Sequence, residues 1–264
     1  MKITVKDILD KKKKREKIVA LTAYDSLFAE LEEECGIDIL LVGDSVGMVL
    51  LGLPSTQTVT MQQMLHHVKA VSRVSKHSLI VVDMPYGSYE GGPVEALQNA
   101  RQLIKEGGAH AVKVEGGREI AKVIETLVKS KIPVMGHLGL TPQSLEFFGG
   151  YKIQGRDIQE AKRILDDAKL LTRLGVFSIV LECVPLMLAQ KITLSVKVPT
   201  IGIGAGPGCD GQVLVVTDLL GMGPNPHYRF VRQFANLRPV IRRAIEGYIR
   251  DVKTGKFPTI KESF

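Results

Sequence analysis

Eight short apolar runs punctuate the chain, at residues 18–21, 37–42, 79–82, 111–114, 133–135, 177–181, 200–203 and 213–216. They are rich in Val and Ile and nearly unbroken by polar positions, the pattern of strands covered on both faces in a parallel sheet. Between them, apolar positions recur with helical spacing over residues 26–35, 60–74, 93–105, 118–129 and 157–174. Thr60, with Gln63 three positions later, forms a capping-box signature, and Gly107-Gly108 and Gly175 stand where helices end. Repeated strand–helix units predict an α/β protein with a parallel sheet. Eight such units, with no glycine-rich dinucleotide loop after the first, favour a closed (β/α)8 TIM barrel over an open sheet. The expectation is one barrel domain over residues 1–264, with a short N-terminal helix before it and an amphipathic helix at 239–252 after it.

Composition narrows this picture. Aromatics make up 5% of the 264 residues and Trp is absent, so the core must rest on Val, Ile, Leu and Met. The formal charge is +7, and the run from Lys11 to Arg15 raises the question of nucleic acid. No aromatic is interleaved with that run and no nucleic-acid module surrounds it, so a solvated face at the end of a short helix is expected instead. Cys35, Cys183 and Cys209 are far apart with no CxxC pair, which argues against a disulfide framework or a zinc site and for a reducing compartment. No apolar run approaches the ~18 residues of a membrane span, and the N-terminal stretch carries no signal-like apolar segment. The chain is therefore expected in the cytoplasm, without membrane or nucleic-acid partners.

Barrel enzymes place their chemistry at the C-terminal ends of the strands. The polar residues there are Asp44 and Ser45 after the second run, Asp83 after the third, and Lys113 and Glu115 in and after the fourth. His137 follows the fifth, Glu182 and Cys183 the sixth, and a glycine-rich turn at 202–206 the seventh. Asp44, Asp83 and Glu115 end three consecutive strands, 39 and 32 positions apart. Crowded into one mouth they would repel and raise each other's pKa. A hard divalent cation with oxygen ligands, Mg2+, relieves that repulsion. Taken singly, each acid is equally explained as a cap on the following helix. Lys113 among three acids should stay protonated, which disfavours a Schiff base. His137, at a strand end, is either a site candidate or a support for its neighbours. His66 and His67, within a predicted helix, are expected as ordinary surface or interface residues, and Cys183 as a small buried side chain. The glycines at 202–206 fit a phosphate cradle or a tight turn equally well.

The segments ALTAYDSLFA from Ala20, LLVGDSVGM from Leu40, VKVEGG from Val112, GHLGLTPQS from Gly136, GGYKIQG from Gly149, LECVP from Leu181 and IGIGAG from Ile201 closely resemble the ketopantoate hydroxymethyltransferase family. Asp83-Met84-Pro85 belongs to the same resemblance, which runs through most of the chain. The resemblance implies transfer of a hydroxymethyl group from methylenetetrahydrofolate to 3-methyl-2-oxobutanoate through a Mg2+-stabilised enolate. The products would be 2-dehydropantoate and tetrahydrofolate, a step of pantothenate biosynthesis. It further implies Asp44, Asp83 and Glu115 as metal-site acids, some through water. Asp44, Ser45, Asp83 and Lys113 would contact the oxo acid, Glu182 would be the base, and the assembly would be a homo-oligomer, often a decamer. The chain departs from the family pattern at MGPNPHYRF from Met222 and at Pro207-Gly208-Cys209, near the expected folate side. Two rival readings stay open. One is a Mg2+-dependent lyase of the isocitrate lyase and phosphoenolpyruvate mutase type, whose cysteine-bearing lid motif is missing here. The other is a basic barrel that binds RNA as a scaffold.

Overall fold

A computed structural model describes residues 2–144, 152–223 and 228–264. It contains a compact unit over residues 1–215 and a second over residues 216–264. In the first unit, eight parallel strands close into a barrel in sequence order: β1 Ile18–Thr22, β2 Ile39–Val42, β3 Leu79–Asp83, β4 Ala111–Glu115, β5 Val134–Gly139, β6 Ser178–Glu182, β7 Thr200–Ile203 and β8 Gly211–Leu214. The closed parallel barrel is the one expected from the apolar runs.

Helices alternate with the strands because the connections carry the right caps. Among the described residues they are α1 Val5–Lys14, α2 Ser26–Glu34, α3 Val46–Val49, α4 Met61–Val74, α5 Pro93–Lys105, α6 Ala121–Lys129, α7 Ile158–Leu174 and α8 Leu186–Ser195. The capping box at Thr60 and Gln63 forms at the start of α4. Asp157 caps α7 through the Glu160 N–H, and Gly175 ends that helix with φ of 95°. The 118–129 pattern splits into a 3₁₀ turn, Arg118–Ile120, followed by α6. Helix α8 escaped the sequence reading because Pro185 gives it no side-chain cap and its apolar residues are spread around the helix instead of gathering on one face.

Strand β8 starts at Gly211, two residues before the 213–216 run, and that run's Val216 already lies in a short helix. Two forces place the strand there. The Asp210 carboxylate accepts the Thr200 N–H at 2.8 Å and anchors the entry to β8. Gly211 then pairs with Ile18 across the closing seam, where a Cβ would lie 2.5 Å from the Ile18 carbonyl oxygen. Only glycine lets the backbones approach this closely.

Helix α1 seals the N-terminal end of the barrel. Its Ile8 joins Ile18, Ile39, Leu79, Met135 and Val213 in the core. The basic run takes part in this closure: Lys11 pairs with Asp38 at 2.8 Å, and Lys12 reaches Asp210 at 2.7 Å and the Thr193 carbonyl at 2.9 Å. Lys13 pairs within the helix with Asp10 at 2.6 Å. The expected solvated face is thus partly a set of clamps on the barrel floor.

The second unit contains a short helix, α9 Val216–Leu219, and α10 Arg238–Lys253, near the expected 239–252. Helix α10 buries none of its residues, and Val240, Ile241, Ile245, Tyr248, Ile249 and Val252 are all exposed. No helix among the described residues is long and apolar enough to cross a membrane.

Candidate active site

The C-terminal ends of β2 to β6 bring Asp44, Asp83, Lys113, Glu115, His137 and Glu182 together, and each is at least nine-tenths buried. The strand register explains why. Asp83 lies beside Lys113 on adjacent strands, and Glu115 lies beside His137. Lys113 Nζ donates to Asp83 Oδ1 at 2.6 Å and lies 3.8 Å from Glu115 Oε1. Asp83 Oδ2 accepts the Asp44 N–H at 3.0 Å, which ties the end of β3 to the turn after β2. Glu115 Oε1 and His137 Nδ1 are 3.1 Å apart. On its other side His137 Nε2 lies 3.2 Å from Glu182 Oε2, close enough for an ion pair but off the line of a hydrogen bond. An unbroken charged row therefore crosses the mouth from Asp83 through Lys113, Glu115 and His137 to Glu182.

Burial and mutual charge set the protonation of this row. Burial works against the Lys113 ammonium, but Asp83, Glu115 and Asp44 outweigh it and raise its pKa. Lys113 is thus a fixed cation, as its acidic neighbours led us to expect. Burial raises the Asp44 pKa well above the ordinary carboxylate range, and Asp83 and Glu115 add to the effect. Burial would also raise Glu115, but His137, Lys113 and the Gln143 N–H prevail and lower it. Burial and Lys113 oppose protonation of His137, yet Glu115 and Glu182 raise its pKa to about 9. His137 is therefore an imidazolium between two acids at neutral pH and a full member of the row.

None of the three acids caps a described helix; α3 has Ser45 as its N-cap residue, α5 has Gly92 and α6 has Ile120. The capping explanation falls away. Among the described residues, no three His, Cys, Asp or Glu side chains are arranged to enclose a metal ion by themselves. What does fit a cation is the deficit of positive charge around Asp44. Three acids here face Lys113 and His137, and Asp44 is driven toward its neutral form. A hard divalent ion on oxygen donors, keeping waters in its remaining positions, suits that set.

Ser45 lies beside the row rather than in it. Its Oγ is 2.8 Å from Tyr24 Oη, and the Tyr24 carbonyl is 2.7 Å from His67 Nδ1. His67 thus braces the Ser45 turn and is more than the ordinary helix residue its sequence context implied. Cys183 has φ of 49°, and burial with Glu182 pushes its thiol up to about 12, so it is no nucleophile. Beside Glu182, Gly139 has φ of 96°, and a Cβ there would lie 2.2 Å from the Glu182 carbonyl oxygen. Glycine at that position lets β5 and β6 close up behind the carboxylate.

Two further residues were not singled out from sequence. Gln143 donates its N–H to Glu115 Oε2 at 3.0 Å and its amide to Asp44 Oδ2 at 2.7 Å. Tyr89 Oη donates to Gln143 Oε1 at 2.5 Å. Both come from loops, where no periodicity marks a buried polar residue. A cavity of about 640 Å³ opens beside them, lined among others by Tyr86, Tyr89, Glu115, Arg118, Gln143 and Asp167. Residues 149–151 of the GGYKIQG segment and 224–227 of the divergent MGPNPHYRF segment lie outside the described residues.

The barrel resembles solved structures of low sequence identity. Phosphonopyruvate hydrolase in complex with oxalate and Mg2+ aligns with a TM-score of 0.63 at 14% identity, covering 98% of this chain and 93% of that one. A 2,3-dimethylmalate lyase of the PEP mutase/isocitrate lyase superfamily aligns with a TM-score of 0.61 at 16% identity, covering 100% and 93%. At these identities the likeness concerns the fold. Sequence relatives are much nearer. A 3-methyl-2-oxobutanoate hydroxymethyltransferase of Carboxydothermus hydrogenoformans is 54% identical over 263 residues, 100% of this chain and 95% of that protein. One from Syntrophus aciditrophicus is also 54% identical, covering 100% and 97%. The ketopantoate hydroxymethyltransferase family model matches residues 2–260. With the charged row at the barrel mouth and these full-length matches, the chain is an enzyme and belongs to the ketopantoate hydroxymethyltransferase family.

Proposed function

We propose that this enzyme transfers a hydroxymethyl group from methylenetetrahydrofolate to 3-methyl-2-oxobutanoate, with water, giving 2-dehydropantoate and tetrahydrofolate in the pathway to pantothenate. The observation that carries the reading is the buried row from Asp83 to Glu182, which offers a fixed cation and a carboxylate base in one mouth. Mg2+ is the proposed metal. Asp44, Asp83 and Glu115 would hold it, some of them through water. When bound, it supplies Lewis-acid polarisation of the oxo acid's carbonyl.

The chain's own groups do the rest. Lys113, locked between Asp83 and Glu115, presents positive charge to the oxygen where negative charge develops. Ser45, held by Tyr24, is placed to bond the substrate carboxylate. Glu182 takes the proton from C3, and its Oε1 makes no hydrogen bond among the described residues, which leaves a lone pair for that task. His137 holds the other oxygen, Oε2, at 3.2 Å and so fixes the carboxylate. The carbon nucleophile then attacks the one-carbon unit of the folate.

An assay with 3-methyl-2-oxobutanoate and methylenetetrahydrofolate, with and without Mg2+, tests the proposal. Turnover should need all three, and RNA should not bind with a steep salt dependence. Asp83→Asn should keep the circular dichroism spectrum and lose Mg2+ affinity by calorimetry, because the amide keeps the shape without the charge. Equal Mg2+ affinity in variant and parent would remove Asp83 from the metal site. Mg2+-dependent cleavage of a carbon–carbon bond in place of hydroxymethyl transfer would favour the lyase reading.

The same proposal includes a homo-oligomer, a decamer by family resemblance, working in the cytoplasm. The exposed apolar residues of α10 and three free cysteines support these two parts respectively. Sedimentation velocity at micromolar concentration should show species well above 28.9 kDa. A single monomer boundary over that range would overturn the oligomer.

A further inference from the structure

Every polar group of Gln143 is used, and two of its five hydrogen bonds go to acids of the mouth. The side chain is 2% exposed and sits in a 3₁₀ turn, Pro142–Ser144, after β5. Its Nε2 donates to Asp44 Oδ2 at 2.7 Å and to the Met84 carbonyl at 2.9 Å. Its Oε1 accepts from Tyr89 Oη at 2.5 Å, and its N–H donates to Glu115 Oε2 at 3.0 Å. Its carbonyl accepts from Gln57 Nε2 at 2.9 Å.

These partners leave the amide one orientation. The Met84 carbonyl can only accept, so the nitrogen must face it and Asp44. The oxygen must then face Tyr89, whose hydroxyl also accepts the Glu115 N–H at 3.3 Å and has one proton to give. A flipped amide would set two acceptors against each other at Met84.

We propose that Gln143 is a positioning residue for the metal, with Tyr89 aiming its amide. The amide binds one oxygen of Asp44, Oδ2, and no hydrogen bond is made to Oδ1 among the described residues. Oδ1 is thereby turned to ligation. The same residue's N–H donates to Glu115 Oε2 and helps to fix that carboxylate. One residue on the β5 loop thus orients two acids, one in the turn after β2 and one at the end of β4. This inference rests on the proposed Mg2+ site.

The test is calorimetric titration with Mg2+ alone of the full-length parent, Gln143→Ala, Tyr89→Phe and the double variant, with thermal melts alongside. Gln143→Ala should raise the Mg2+ Kd about 10–100-fold, the usual effect of losing a partner of a metal ligand. Tyr89→Phe should raise it less, in the same direction. The double variant should match Gln143→Ala, because the two residues act through one amide. A merely structural role would lower the melting temperature and leave the Mg2+ Kd unchanged, and that result overturns the proposal. Additive effects would also overturn Tyr89 as the residue that aims the amide. If Gln143→Ala does not fold, Tyr89→Phe decides alone, since a phenyl ring keeps the shape and removes only the hydroxyl. A parent with no measurable Mg2+ binding would overturn the metal site itself, whereas a parent that binds and variants that match it overturn only this inference.

Discussion

Replacing Glu182 by Gln is expected to abolish exchange of the C3 hydrogen of 3-methyl-2-oxobutanoate with solvent deuterium. The parent enzyme should catalyse that exchange with Mg2+ and the oxo acid, without folate. In the proposed mechanism proton abstraction precedes one-carbon transfer, and the base it needs is the carboxylate at the end of β6. An amide cannot accept the proton, so the rate should fall by about 10²–10⁴-fold, the usual worth of a positioned general base. Binding of the oxo acid should survive, because Lys113 keeps its bond to Asp83 and Ser45 its contact with Tyr24. Proton NMR in D2O follows the C3 signal directly. Parent-like exchange in the variant would assign the base elsewhere. Loss of binding together with exchange would make Glu182 a binding residue instead.

The second large effect concerns stability and lies away from the mouth. Glu32 on α2 is 6% exposed, and neither of its carboxylate oxygens has a hydrogen-bond partner among the described residues. Burial, helped by Asp25, raises its pKa from 4.5 to about 8. The unfolded chain releases this proton near the ordinary value, and the folded chain keeps it until about pH 8. Between those values the folded state holds the extra proton, so stability is full below about pH 4.5 and falls as pH rises toward 8. Glu32→Met replaces the carboxyl with an apolar side chain of similar length. At pH 8.5 it should stabilise the fold by several kcal/mol more than at low pH, given ~1.4 kcal/mol for each pKa unit. At pH 5 the gain should shrink to about 1–2 kcal/mol, the cost of a buried polar group with no partner. Urea melts of parent and variant at both pH values, at one protein concentration, measure the difference. Equal gains at the two pH values would show that Glu32 does not keep its proton in the folded state.

The fold was open to a reader of the chain because it rests on local, repeating signals. Apolar runs such as 79–82 and 111–114 became β3 and β4 almost residue for residue, since a strand buried on both faces leaves few choices of side chain. Caps at Thr60 and Gly175 marked helix ends because those signals are local as well. Asp44, Asp83, Lys113, Glu115 and Glu182 were visible as polar residues at the ends of those runs, and barrel closure required that strand ends meet at one mouth.

Pairing inside that mouth was decided by the tertiary structure. Strand register sets Glu115 beside His137, and no spacing in the chain announces that this histidine would join two acids and carry a charge. Gln143 lies 99 positions from Asp44, and Glu32 looks like one of several acids on an exposed helix. The start of β8 at Gly211 answers to Ile18, remote in the chain but its neighbour across the closing seam. Local pattern reports which face of an element is buried. Which buried polar groups find partners, and how their charges shift, depends on distances that exist only once remote segments are packed together.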